Sequence, residues 1–134
     1  MPDWLVTTGL AVGSLGIWLA IGARNSQRRI ARTLARRANL DERQFMALME
    51  ADCSKDAAEF LWRTSLFYLA PRLTPHPDDD LLRDLPIHHE DWSMHWPQDY
   101  AREQGFHESN LPDWPKEWPI TIRNYGRWLS MGPV

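Results

Sequence analysis

The hydrophobic and polar positions divide the chain into an uncharged run followed by a mixed remainder. Residues 4–23 contain no charged side chain. A run of about 20 such residues is what one helix needs to cross the roughly 30 Å hydrocarbon core of a bilayer. The pattern therefore predicts a transmembrane helix, and we assign residues 1–23 to a membrane anchor.

A cleaved secretory signal is the other interpretation of this run. Such a signal has positive charges before a shorter apolar core, whereas here Asp3 precedes the run and arginines follow it. We therefore expect a retained anchor. Because an excess of Lys and Arg marks the cytoplasmic side, we expect a single pass through the inner (cytoplasmic) membrane, with the N-terminus outside and the bulk of the chain in the cytoplasm.

Small residues form a stripe along the predicted anchor. At about 100° of rotation per helical residue, one side carries Gly9, Gly13, Gly16 and Ala20. Such stripes let two transmembrane helices approach closely, which indicates a helix partner in the membrane or a homodimer. The alternative is that the glycines only reflect how common glycine is in membrane helices.

Residues 24–38 have helical periodicity and predict a basic amphipathic juxtamembrane helix. One arc carries Arg24, Arg28, Arg29, Arg32 and Arg36, and the opposite arc carries Ile30, Ala31, Leu34 and Ala38. Two interpretations remain open. Either the arginines bind anionic headgroups, where each adds about 1 kcal/mol, or the helix is a stalk whose apolar arc packs on the following domain.

Residues 39–134 suffice for one small domain, and this domain is acidic. Residues 44–134 carry 8 Lys and Arg against 15 Asp and Glu. Nucleic-acid binding needs a basic face, so the charge argues against it.

The lone Cys53 excludes an internal disulfide and a cysteine-based metal site. We expect residues 39–134 to fold without the anchor, with a thin margin of stability.

Capping residues predict where the first helices of the domain begin. Asn39 with Glu42 three residues later has the spacing of a capping box, and it opens a helix through about Glu50. Ser54 is the expected cap of a long helix over residues 55–70. Because that helix is apolar nearly all round, we expect it to be the buried centre of the domain.

Two further helices complete an all-α fold class. Pro71 ends the central helix. Pro97 and Gly105 have the placement of a first helical residue and a C-terminal cap. The last helix starts at Thr121 and ends at about Met131.

Three consecutive acids, Asp78, Asp79 and Asp80, precede the apolar residues 81 and 82. Acids in this position suit the positive end of a short helix. The glycine and the bidentate glutamate of an EF-hand are missing at the required offsets. We therefore interpret the three acids as solvated capping residues rather than as a cation site.

Two motifs of the domain resemble a known family. Residues 74–85 read T-P-H-P-D-D-D-L-L-R-D-L after the long buried helix, and residues 119–128 read P-I-T-I-R-N-Y-G-R-W. The first resembles the loop and the entrance to the second helix of acyl carrier proteins. The second is similar to the closing pattern of small bacterial proteins of unknown function that look like divergent acyl carriers. The resemblance implies a small acyl-carrier-like helical domain.

The resemblance also implies a docking face at the start and acidic flank of the helix that follows Asp84. The residues that it nominates for binding a protein partner are Asp84, Glu90, Asp91 and Trp92, and an Arg-rich partner would complement them. The family's phosphopantetheine-bearing serine corresponds to His89, and Ser93 lies one helical turn later. The attachment serine is therefore absent, which favours a degenerate domain; a genuine acyl or lipid carrier accessory is an alternative.

Trp114 and Trp118 lie in the proline-rich segment 110–119, which predicts an extended connection. The two indoles either fold back onto the core or form an exposed aromatic lip. Exposed apolar patches on small domains tend to be binding sites. Both residues are therefore further candidates for binding a partner.

The densest cluster of ligand-type side chains is His88, His89, Glu90, Asp91 and His95. Imidazoles and carboxylates suit zinc or a non-haem metal, but the spacing lacks the H-E-x-x-H pattern. We expect histidines that flank a helix and no metal site. A metal-binding module that uses this cluster is an alternative.

Catalytic motifs are missing from the chain, which has no P-loop, no G-x-S-x-G and no Rossmann fingerprint. Asp52 beside Cys53 raises rather than lowers the pKa of a thiol, which argues against a nucleophile. We expect neither an enzyme nor a cofactor. The sequence favours a membrane-anchored, cytoplasm-facing adaptor or accessory subunit whose acidic domain docks a protein partner.

Overall fold

The computed structural model describes residues 24–134, and the fold they form is all-α. Helix α1 covers residues 24–36. The other α-helices are α2 (Glu42–Met49), α3 (Lys55–Leu69), α4 (Trp96–Gln104) and α5 (Ile122–Ser130). A π-helix, Asp91–His95, precedes α4, and a 3-10 helix, Glu108–Asn110, follows it. Between residues 24 and 134, β-structure is limited to one isolated antiparallel bridge between Asp80 and Thr121.

The predicted anchor in residues 1–23 lies outside the described residues, and so does its stripe of Gly9, Gly13, Gly16 and Ala20. From residue 24 onward, no helix is both long enough and apolar enough to cross a bilayer. The transmembrane assignment stays a prediction.

Helix α2 has a capping box, but it is built by other residues than the sequence suggested. Asp41 accepts a hydrogen bond from the Gln44 N–H, and the Gln44 side chain accepts one from the Asp41 N–H. Asn39 instead bonds the backbone of Arg72 and Thr74. The prediction of Asn39 as the cap was wrong because its amide joins two loops.

Three other predicted helix ends, at Ser54, Thr121 and Gly105, are confirmed. Ser54 accepts from the Ala57 N–H at the start of α3, and Thr121 accepts from the Asn124 N–H at the start of α5. Gly105 ends α4 with φ at 80°, a left-handed conformation that favours glycine.

Helix α3 lies between α2 and α5 and supplies the centre of the core. Its buried side chains include Phe60, Leu61 and Leu69. Phe67 departs from the expected all-round burial, since it is 84% exposed. Its ring packs edge-on against Tyr68. The exposure of Phe67 shows that one side of α3 faces solvent.

The backbone is helical from residue 89 to residue 104, eight residues earlier than the predicted start at Pro97. In the π-helix the Trp96 N–H donates to the Asp91 carbonyl, five residues back. Pro97, the next residue, has no N–H to donate. The wide turn thus lets a proline follow inside a continuous helical segment.

The acidic loop is only partly solvated, which corrects the sequence interpretation. Asp79 is 1% exposed and is bonded by Arg37 and by the His76 N–H. Asp80 does cap a turn, since it accepts from the Leu82 N–H and a second backbone N–H one residue later. Residues 81–85 form turns instead of the expected short helix.

Helix α1 packs on the domain, as the stalk interpretation proposed, but through a different face. Thr33 is 2% exposed and donates to the Asp84 carbonyl at 2.7 Å. Ile30 packs against the core, whereas Leu34 is 36% exposed. The contact face therefore centres on residues 29, 33 and 37 and includes Ile30 from the edge of the apolar arc.

Candidate functional site

The centre of the candidate site is the pair formed by His89 and Trp92. Their ring centroids lie 4.6 Å apart in an edge-to-face arrangement. Trp92 is 6% exposed, and its carbonyl accepts a hydrogen bond from the Tyr125 hydroxyl. His89 is exposed. Both residues line two neighbouring cavities, so the pair forms the wall between them.

The first cavity, which we call the aromatic cleft, has a volume of about 360 Å³. It is lined by His89, Trp92, Ser93, Pro97, Trp114, Ile120, Tyr125 and Trp128. Most of these side chains are apolar and four are Trp or Tyr. A concave apolar site with a few polar groups is the usual form of a binding pocket.

The proline-rich segment folds back to build one wall of the aromatic cleft. The Trp128 indole N–H donates to the Pro112 carbonyl at 2.7 Å, and the Trp114 indole N–H donates to the Trp118 carbonyl at 3.2 Å. The Trp114 ring packs 5.6 Å from Trp128 and 5.9 Å from Tyr125. These bonds hold the indoles in place with one face turned to the cleft.

Trp114 and Trp118 combine features of the two sequence interpretations. Both are partly buried, and Trp114 packs against the core. Trp118 packs against Trp114 with ring centroids 6.1 Å apart. Neither indole is fully enclosed, so both keep part of their surface exposed to solvent.

The second cavity, which we call the α1 cleft, lies between α1 and the loop that follows the acidic tripeptide. Its volume is about 330 Å³. It is lined by Asn25, Ser26, Arg29, Leu81, Leu82, Pro86, Ile87, His88, His89 and Trp92. Arg29 donates to the Leu85 carbonyl at 3.3 Å. Among these described lining residues, none is an acid.

The acids that the sequence nominated for docking fall into two groups: those already paired within the chain and those left exposed. Asp84 is paired with Arg36 at 2.9 Å and accepts from the Asp80 N–H. Burial opposes its ionisation, but these bonds outweigh burial and hold the pKa of Asp84 below its ordinary value. The Asp84 carboxylate is therefore already bonded within the domain and to α1. The sequence had suggested that it would be free to bind a partner.

Glu90, Asp91 and Trp92 occupy three different environments. Glu90 is exposed, and no residue from 24 to 134 forms an ion pair with it. Asp91 is 21% exposed and lies 3.5 Å from His95 one helical turn later. Trp92 is mostly buried and forms a wall of the aromatic cleft, so it offers little surface outside the cleft.

The juxtamembrane arginines also divide by role. Arg29 and Arg36 bind the domain, while Arg24, Arg28 and Arg32 are exposed. Thr33 in α1 and Arg37 directly after it were not nominated from the sequence, yet they make the shortest hydrogen bonds to the domain. Their signal was the i, i+4 spacing of residues 29, 33 and 37.

The histidine cluster is not assembled into a metal site. No three His, Cys, Asp or Glu side chains of residues 24–134 are placed to hold a metal ion. Ser93 Oγ lies 3.3 Å from His89 Nδ1, but no carboxylate of the described part of the chain hydrogen-bonds the same ring. The third group of a catalytic triad is therefore not in place there.

Cys53 is half-buried, and its surroundings disfavour the reactive thiolate form. Burial, followed by the charge of Asp52, raises the pKa of the thiol to about 11. Because the thiolate is the nucleophilic form, this environment suppresses reactivity.

Comparisons of the chain with protein-family models, with curated proteins and with solved structures gave no match.

Proposed function

We propose that the protein is a membrane-anchored adaptor whose acidic helical domain captures a protein partner in the aromatic cleft. The cleft carries this proposal. It offers about 360 Å³ of mostly apolar space, four aromatic walls and one further tryptophan, Trp118, at the rim. Aromatic side chains in a concave patch are typical of the residues that dominate binding energy at interfaces.

The partner segment that fits this site carries an apolar or aromatic side chain flanked by basic residues. The apolar side chain fills the cleft. Exposed acids lie nearby in sequence to its lining residues, namely Glu90, Asp113 and Glu117. Complementary charges of this kind raise the association rate and set orientation.

The acyl-carrier-like shape remains part of the proposal. Its support is that the helical backbone begins at His89, the position that corresponds to the family's attachment serine. The docking face implied by the resemblance then coincides with the wall between the two cavities. Because His89 cannot carry a phosphopantetheine ester, the proposal is docking without acyl carriage.

The membrane location is likewise proposed. Its support is the uncharged run at residues 4–23 together with the exposed side chains of Arg24, Arg28 and Arg32. A reporter fused after Val134 should be active in the cytoplasm. Activity of a reporter that works only outside the cytoplasm would contradict this orientation.

Capture of the partner is tested with the full-length protein in detergent. A photoreactive residue at Ser93, which lines the cleft, should cross-link the partner, and mass spectrometry identifies it. Trp118→Ala and Glu90→Lys should each reduce the cross-linked yield about tenfold, since rim aromatics and complementary charges contribute on the order of 1 to 2 kcal/mol.

Glu50→Lys is the matched control. Glu50 is exposed, and the cavity beside it shares no lining residue with the aromatic cleft. This variant makes the same charge change and should leave the yield unchanged. If the rim variants cross-link as well as the control, the cleft is not the docking site.

A further inference from the structure

The α1 cleft has a composition that the proposed adaptor role does not require. Arg29, His88, His89 and Asn25 supply N–H donors, whereas Leu81, Leu82 and Ile87 supply apolar surface. No carboxylate of the described residues lines it, although the domain as a whole is acidic. A cavity of this kind suits an anion that is attached to an apolar body.

Arg29 differs from the neighbouring arginines that contact the domain. Arg36 is paired with Asp84, and Arg37 with Asp79. Within residues 24–134, Arg29 makes no ion pair; its one hydrogen bond, to the Leu85 carbonyl, positions the guanidinium at the cleft. Since a guanidinium has five N–H donors in a planar fork, most of them remain for a ligand. A phosphate is the anion that such a fork binds in a bidentate manner.

The position of the cleft along α1 points to the source of the phosphate. Arg29 lies five residues beyond Arg24, about 7.5 Å of helix rise. The polar layer on each side of a bilayer is roughly 5 to 7 Å thick. With residues 4–23 in the membrane and α1 leading away from it, Arg29 lies at the outer edge of this layer, where its long side chain reaches the lipid phosphates.

We propose that the α1 cleft binds the phosphate of an anionic phospholipid. Arg29 and the two imidazoles hold the phosphate, and Leu81, Leu82 and Ile87 contact the glycerol and the first acyl carbons. A volume of about 330 Å³ admits a headgroup and not a whole lipid. The inference rests on the proposed membrane location, because that location brings lipid to the cleft, but it does not depend on partner capture.

Native mass spectrometry of the full-length protein in detergent tests this binding. The probes are dihexanoyl-phosphatidic acid, dihexanoyl-phosphatidylcholine and inorganic phosphate. Phosphatidic acid should bind at least about tenfold more tightly than either of the others, because it alone offers both an accessible anionic phosphate and an apolar body.

Two variants with matched controls assign the site. Arg29→Gln should weaken binding of phosphatidic acid about tenfold, while Arg43→Gln, at an exposed arginine of α2 outside the cleft, should not. Leu82→Gln should weaken the same binding about threefold, while Leu48→Gln should not; the two leucines are 49% and 44% exposed. A thermal melt of each variant shows whether it is folded.

Three results would overturn the assignment. The first is that folded Arg29→Gln keeps the wild-type affinity. The second is that inorganic phosphate binds as tightly as phosphatidic acid, which would indicate a site for a free anion. The third is that His88→Gln, which replaces Arg29→Gln if that variant does not fold, binds phosphatidic acid as tightly as the wild type. Cross-linking of the partner is a separate measurement, so failure of the lipid site and failure of the adaptor role are distinguishable.

Discussion

Arg37 donates two parallel hydrogen bonds to the Asp79 carboxylate, with Nε 2.7 Å from Oδ1 and Nη2 2.6 Å from Oδ2. The Asp79 side chain is 1% exposed and that of Arg37 is 12% exposed. Burial raises the pKa of the Asp79 carboxyl, and the Arg37 guanidinium opposes that rise. Because a fork-to-carboxylate pair is geometrically specific, it fixes the direction of α1 relative to the domain.

Arg37→Gln should lower the free energy of unfolding by about 3 to 5 kcal/mol, since it leaves a buried carboxylate without its counterion. Arg36→Gln, which removes a pair whose arginine is 59% exposed, should cost about 1 kcal/mol or less. Urea denaturation of the two variants measures both values. Equal losses of stability would mean that the Arg37–Asp79 pair is not the main interaction between α1 and the domain.

Asp52 should make stability depend on pH. Hydrogen bonds from Arg127 and then Arg123 hold the pKa of this carboxyl below its ordinary value. The lowered folded-state pKa contributes stability above the unfolded value, about 4, and this contribution is lost as pH falls through the folded value. Between about pH 5 and pH 3, the wild type should therefore lose more stability than Asp52→Asn. Parallel melting curves for the two proteins would contradict the role of this ion pair.

Cys53 should resist alkylation in the folded protein. With its pKa at about 11, roughly one thiol in a thousand is ionised at pH 8, whereas an ordinary thiol is ionised to an appreciable fraction. Alkylation by iodoacetamide should then be about a hundredfold slower in the folded protein than in denaturant. Intact-mass analysis follows it directly because the chain has one cysteine. Equal rates in the two states would show an accessible, reactive thiol.

The elements that the sequence predicted are those whose causes are local. The caps at Ser54 and Thr121 bond backbone groups three residues later, and Gly105 ends its own helix. Interactions over such short separations are visible as patterns of neighbouring residues. The all-α class follows from these local signals.

The features that the sequence did not predict depend on residues far apart in the chain. Arg37 and Asp79 are 42 positions apart, and nothing near either residue indicates the other. Asp79 therefore looked like one of three solvated acids. Asn39 was assigned as a cap for the same reason, since its true partners, in residues 72 and 74, are more than 30 positions away.

The partner-binding residues nominated from the sequence include two of the eight residues that line the aromatic cleft, Trp92 and Trp114. Trp114 lines the aromatic cleft, whereas Trp118, which was also nominated, packs against Trp114 at the rim. Trp92 and Asp84 were nominated for binding a partner, and contacts with α1 and α5 partly enclose them. Burial is a property of the whole fold, so composition and spacing could not separate these residues from the exposed Glu90.

The contact between α1 and the domain bears on which residues make up a folding unit. The sequence predicts that residues 39–134 fold alone, but the structure places Ile30, Thr33 and Arg37 against that segment. Small domains have few kcal/mol to lose. We therefore expect residues 24–134 to melt cooperatively and residues 39–134 to be several kcal/mol less stable.

A double-mutant comparison separates the ion pair from the general loss of contacts. In residues 24–134, Asp79→Asn should cost at least about 2 kcal/mol, because Arg37 loses a charged partner. In residues 39–134 the same substitution should cost nothing or be stabilising, since there the carboxylate has no counterion, while an asparagine oxygen can still accept from the His76 N–H. The difference between the two effects is the coupling free energy between α1 and Asp79. Urea melts of the four proteins measure it, and if Asp79→Asn costs the same in both lengths, α1 does not stabilise the domain through this carboxylate.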